Sequence, residues 1–189
     1  NIQSAVIPSG VIYNSIEYPV TEILPYAFAN HESLTSVIIP ASINRIGALA
    51  FSGTNLTSLI YNAVNCPTGS FSGFPTLNSV TIGSSVTTIP TNFLSGCSNV
   101  DSIKIPSSVT SIGDGAFYEC SSLTSITLPE GVTSIGNSTF ANCSNLAFVT
   151  IPSSVRSVGN SAFSGAKLNF ITLPEGVTSI GSSAFFNCN

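Results

Sequence analysis

One phrase of the sequence returns at nearly fixed intervals: "LTSITLPEGVTSIGNSTFANC" at residues 123–143 comes back as "ITLPEGVTSIGSSAFFNC" from Ile171. Aligned on the first part of the phrase, units start at Leu34, Leu56, Leu77, Val100, Leu123, Leu146 and Leu168, with spacings of 22, 21, 23, 23, 23 and 22 residues. The unit reads L-T-S-[IV]-x-[IL]-P-x-x-V-T-S-I-G-x-x-A-F-x-x-C and is best kept in "VDSIKIPSSVTSIGDGAFYEC" at residues 100–120. A unit of this length encloses almost no interior, so none can bury its own Leu, Ile, Val and Phe. Stacked copies can share one continuous core, and the period therefore predicts a solenoid.

Each part of the unit has a physical reading. Ile126 and Leu128 alternate as in a strand, and Pro129 ends it because proline has no N–H to give to a ladder. The phrase "VTSIG" at residues 132–136 is β-branched and closes on glycine, which predicts a shorter extended segment on the opposite side of the coil. In "GDGAFYEC" at residues 113–120, Asp114 is placed to N-cap a single helical or 3-10 turn. Leu94, Phe117, Phe140, Phe163 and Phe185 fall in one column, while Phe93 stands where Ala116, Ala162 and Ala184 occupy the next. Seven coils at strand spacing would span roughly 34 Å.

The expected organisation is one continuous domain: seven repeats over residues 34–189, irregular at 56–76, preceded by a partial repeat and a capping hairpin in residues 1–33. The hairpin is read from alternation around Asn14-Ser15. The sequence stops at Cys188-Asn189 directly after a turn. Because solenoids normally close with a polar unit, the expectation is a fragment of a longer array or an end that self-associates end to end.

Charge narrows the partners. Of 189 residues only 4 are Lys or Arg and 8 are Asp or Glu, for a net charge of −4. Arg45, Lys104, Arg156 and Lys167 are scattered, which leaves no footprint for nucleic acid or anionic lipid. The longest apolar runs are far shorter than the roughly 20 residues of a membrane helix, so no membrane insertion is expected in this segment. The opening "NIQSAVIPSG" has no signal-peptide pattern, which reads as a signal removed or never present. A surface of Ser, Thr and Asn with little charge points outside a cell.

No catalytic or metal constellation emerges. Cys97, Cys120, Cys143 and Cys188 share one place in the unit, where Thr54 and Ala166 stand in other copies, and Cys66 lies in the irregular unit. Zinc sites want paired ligands at short spacing with His nearby, whereas these cysteines recur every coil and His31 is the single histidine. They are read as free thiols packed as small hydrophobes. His31 is remote from Asp101 and Asp114, so no Ser-His-Asp or Cys-His arrangement can assemble. Glu130 and Glu175, two coils or about 9.6 Å apart, are read as exposed turn residues rather than a glycosidase pair. No cofactor or metal is expected, and the chain is not expected to be an enzyme.

With these motifs in place, residues 20–189 resemble the BspA-type leucine-rich repeats, a surface-protein family of bacteria and some parasitic protists. "IPSSVTSIGDGAFYEC" carries the resemblance, and residues 60–97 match a variant unit of that family. The resemblance implies a right-handed curved coil, mostly β, with a parallel sheet on the concave face and short extended segments and turns on the other side. It also implies a cell-surface or secreted location, and binding or adhesion in place of catalysis.

Function is then expected on the open face of the sheet, where the residues flanking the central Ile of each strand point. Most are Ser or Thr, Thr127 and Thr150 among them. The exceptions are Phe148 and Phe170 in adjacent coils, Ile38 and Ile60 in adjacent coils, and Lys104 alone. Two neighbouring exposed aromatics are expected either to form a contact patch for a protein partner, with a host extracellular protein as the expected class, or to fold onto each other or lie under a covering segment. Carbohydrate binding and a passive spacer or self-assembly array are the alternatives.

Overall fold

The computed structural model describes residues 2–188. Its fifteen short strands are, in chain order, β1 (Ser4–Val6), β2 (Gly10–Tyr13), β3 (Ile16–Pro19), β4 (Glu22–Ile23), β5 (Ser36–Ile39), β6 (Arg45–Ile46), β7 (Ser58–Tyr61), β8 (Ser79–Ile82), β9 (Thr88–Ile89), β10 (Ser111–Ile112), β11 (Ser125–Thr127), β12 (Ser134–Ile135), β13 (Phe148–Thr150), β14 (Ser157–Val158) and β15 (Ser179–Ile180). They wind into a β-solenoid of about seven turns. The first strand of each coil builds a main parallel face, β1-β5-β7-β8 and then β11-β13, in a register that sets Ser36 beside Ser58 and Ser58 beside Ser79. The "TSI" phrases build a second parallel face, as β4-β6, β9-β10 and β12-β14-β15.

The segment read as a partial repeat makes a complete winding. β1 pairs with β5 from Ser4↔Ser36, and β4 pairs with β6. Between them the chain inserts the antiparallel hairpin β2-β3, turning at Asn14 and Ser15 with φ of 50° and 61°. Two left-handed residues in a two-residue loop match the twist of the flanking strands. The insertion hides the unit in the sequence, since "SAVIP" and "VTEI" are separated by the hairpin.

No helical or 3-10 turn occurs among the described residues; the third part of each unit is a run of interlocking turns. Within residues 113–120 the N–H groups alternate in direction. Those of Ala116, Tyr118 and Cys120 donate back three residues, while those of Gly115, Phe117 and Glu119 donate to carbonyls of the next coil. Left-handed conformations at Gly115 and Glu119 interrupt any helix. Asp114 accordingly does not cap a helix. Its Oδ1 accepts the Asn137 N–H at 2.8 Å, Asn137 Oδ1 accepts that of Asn160 at 2.9 Å, and Asn160 Oδ1 that of Ser182 at 2.8 Å. Each side chain thus satisfies the next coil's backbone. Glycine is required where coils approach most closely: a Cβ on Gly159 would stand 2.6 Å from the Gly136 carbonyl carbon.

The core is a stack of side-chain columns. Phenylalanine rings lie nearly parallel from Phe28 to Phe51 (5.1 Å) and Phe51 to Phe71 (5.3 Å), and again from Phe117 through Phe140 and Phe163 to Phe185 (5.4–5.5 Å). Leu94 interrupts the column. There Phe93 fills the neighbouring position and meets Tyr61 edge-on at 4.9 Å, so an enlarged pair compensates the missing ring. Tyr61 also donates to the Cys66 carbonyl in the irregular unit. That unit lacks "VTSIG", and the hydroxyl of Thr68 accepts the Ile46 N–H where a ladder partner would stand. This is why the second face breaks between β6 and β9.

Candidate functional site

The main face shows the alternation that strand geometry dictates: in β11, Ser125 and Thr127 are exposed and Ile126 is buried. Two outward columns result, one running through Ser36, Ser58, Ser79, Ser125 and Phe148, the other through Val6, Ile38, Ile60, Thr81, Thr127 and Thr150. The residues singled out in the sequence occupy these columns, but they form three patches. Val6, Ile38 and Ile60 are adjacent in β1, β5 and β7. Lys104 and Thr127 flank a central groove. Phe148 and Phe170 meet edge to face, with ring centroids 5.9 Å apart. Ile60 and the Phe148 coil are four windings apart, about 19 Å at strand spacing.

Phe148 and Phe170 are 49% and 66% exposed. Their mutual contact leaves about half of Phe148 and most of Phe170 to solvent. Val6, 68% exposed, was missed in the sequence because the hairpin disguised its unit. The signal was nonetheless present, since "SAVIP" aligns with "SVIIP" at residues 36–40.

The groove, of about 780 Å³, is lined by Val80, Ile103, Ile105, Lys104, Ser125 and Thr127 among others. It lies where the main ladder fails. At the start of the strand, N–H groups donate to the preceding coil from Thr35 and Ser36 to Gln3, from Thr57 and Ser58 to Thr35, from Asn78 and Ser79 to Thr57, from Thr124 to Asp101, and from Ala147 to Thr124. Among the described residues no such bond joins residues 101–105 to β8. The coil consequently contributes no strand to the main face, against the one strand per unit expected from the repeat. Asp101 accompanies the break without by itself explaining it, since Asn78 and Ala147 hold the same place in their units without a hydroxyl and keep their strand-start bonds. Thr35, Thr57 and Thr124 each clasp the preceding coil's carbonyl through the hydroxyl. A carboxylate cannot donate, and Asp101 Oδ1 instead accepts the Ser102 hydroxyl at 2.9 Å. Val80, whose equivalents Val37 and Leu59 are fully buried, is partly exposed at this opening.

The thiols are inert by placement. Cys97, Cys120 and Cys143 are buried, and each Sγ donates to the carbonyl of the column residue one coil back: Phe71, Leu94 and Phe117. Burial pushes Cys97 up to about 11 and Cys143 up to about 12, and raises Cys120 with help from the two neighbouring thiols. None can serve as a thiolate near neutral pH. His31 is exposed and bonds only the Ala29 carbonyl. Glu130 is exposed and accepts from Ser153 of the next coil. Among the described residues no three metal-ligating side chains converge, and no helix is long and apolar enough to cross a membrane.

The BspA type leucine rich repeat region pattern matches residues 9–71 and 64–189, in six copies. No curated protein matches the sequence. Among solved structures, a leucine rich cell surface protein from Faecalibacterium prausnitzii is 35% identical, with a TM-score of 0.71 over 100% of this chain and 46% of that one. A leucine-rich repeat protein from Bacteroides ovatus is 27% identical, with a TM-score of 0.62 over 98% of this chain and 55% of that one. The T. pallidum leucine rich repeat protein is 27% identical, with a TM-score of 0.64 over 86% of this chain and 76% of that one. The chain spans about half the length of the first two. With its repeat phrase, coil geometry and family pattern in agreement, the chain belongs to the BspA-type leucine-rich repeat family.

Proposed function

We propose that the chain is a non-enzymatic recognition or adhesion module, displayed at a cell surface or secreted, that binds a protein partner through the main strand face. The observation that carries this reading is the exposed edge-to-face pair of Phe148 and Phe170 on a face whose other outward positions are mostly Ser and Thr. Two aromatic anchors surrounded by small hydroxyl groups supply apolar area and adaptable polar contacts. The family and the cell-surface protein from F. prausnitzii support the location. Buried thiols of raised pKa support the absence of nucleophilic chemistry.

The test uses a panel of immobilised host extracellular proteins. For any partner bound by the wild type, the double variant Phe148→Ser/Phe170→Ser is expected to lose affinity by at least about tenfold, since each anchor of this kind is worth over about 1 kcal/mol. Unchanged affinity would remove the phenylalanine pair from the site.

A further inference from the structure

The unzipped junction between β8 and residues 101–105 is a feature that the family's repeat does not require. Only the coil of Asp101 lacks the strand-start bonds that join the neighbouring coils from β1 to β13. The backbone N–H groups of residues 102–105 have no protein partner among the described residues, and β8 presents a free edge toward them. Unpaired strand backbone beside partly exposed core residues is a template for another extended segment. The charge at this place is specific as well. Lys104 is the single cation in the two outward columns, is exposed, and makes no ion pair among the described residues.

We propose that this junction docks an extended, acidic peptide segment of a partner protein. The segment lies along the free backbone of residues 102–105. Because strand side chains alternate, its inward residues rest on Val80 and Ile103, and its outward residues sit beside Lys104. An apolar residue is favoured at the first kind of position and a carboxylate at the second. The groove, of about 780 Å³, is open to solvent along its length, as a segment added to a sheet edge requires. Asp101 is the acidic group on the same segment, three residues before Lys104, and it is engaged by Ser102. The proposal rests on the main face being a recognition surface, but it uses none of the phenylalanine pair.

The probe is a fluorescein-labelled, capped pentapeptide of alternating valine and glutamate, with its valine-lysine counterpart as control, titrated by fluorescence anisotropy. The expected result is saturable binding of the glutamate peptide, weakened about tenfold or more by Lys104→Glu and for the lysine peptide. In the free protein, amide exchange at residues 102–105 should be faster than in β7, and the glutamate peptide should slow it. Phe148→Ser/Phe170→Ser should bind the peptide within about twofold of wild type, because Phe148 stands two coils from residues 102–105, about 9.6 Å at strand spacing. Three results would each overturn the proposal: no saturation by millimolar peptide, wild-type binding by Lys104→Glu, or exchange at residues 102–105 as slow as in β7. Loss of peptide binding in the phenylalanine variant alone would also overturn the separation of the two sites.

Discussion

Thr139 and Asp101 each depart from the most frequent residue at their place in the repeat. Thr139 stands in the alanine column of Ala116, Ala162 and Ala184, 1% exposed, and its hydroxyl has no hydrogen-bond partner. An unmet buried hydroxyl costs about 1 kcal/mol or more, against a smaller loss of packing when it is removed. Thr139→Ala is therefore expected to raise the urea midpoint, by roughly 1 kcal/mol at constant m-value; a lower midpoint would show that the hydroxyl is bonded. Asp101 is as plain in the sequence as Thr139, standing where Thr35, Thr57 and Thr124 stand in three other units and Asn78, Ala147 and Asn169 in the rest. The open ladder beside it was not legible there, because strand-start bonds form only between coils and the sequence displays one coil at a time.

Coils, by contrast, were largely legible. The phenylalanine column follows from spacing alone, since residues one period apart must meet in a solenoid. Phe140 is fully buried between Phe117 at 5.5 Å and Phe163 at 5.4 Å. Phe140→Ala removes a ring from the middle of that stack and is expected to cost about 3–5 kcal/mol. Because each coil contacts only its neighbours, amide exchange should accelerate in residues 111–166 and change little in β5 and β7. Uniform acceleration along the chain would mean that the array unfolds as one unit. Compensation at Leu94 was not legible, because Phe93 and Tyr61 come from different coils and meet only after winding. The turn segment also differed from the expected helical turn. Its N–H groups have carbonyls of the next coil within reach, a choice that an isolated segment does not have.

Protonation couples the whole molecule to pH through the cysteine column. Cys97 and Cys143 are held at about 11 and about 12 by burial, above the ordinary 9.0, and Cys120 is raised in the same way. The folded chain keeps protons that the unfolded chain releases, so their contribution to stability is complete below about pH 9 and falls as pH rises through about 11. Each buried thiol adds about 1.4 kcal/mol per pH unit to that decline within this window. Denaturant midpoints measured from pH 8 to pH 11 should fall steadily above pH 9, and Cys143→Ala should make the fall shallower. Ala166 holds the equivalent place in another coil, so the substitution suits the fold. A flat profile across that range would show that the thiols ionise in place.

Period, strand alternation and small-residue punctuation by themselves determined a stacked β-coil with a polar open face, because units this short have no stable alternative to burying their apolar residues against copies of themselves. They also marked Phe148, Phe170, Ile38, Ile60 and Lys104 as exceptions on that face. Only the tertiary structure decided that these exceptions divide into three patches, that residues 2–33 complete a winding, and that the ladder opens beside Lys104. Each of those outcomes depends on bonds and contacts between residues about 20 or more positions apart. Such bonds depend on the donor that a neighbouring coil presents, and on the space left between coils, neither of which is a property of one unit read alone.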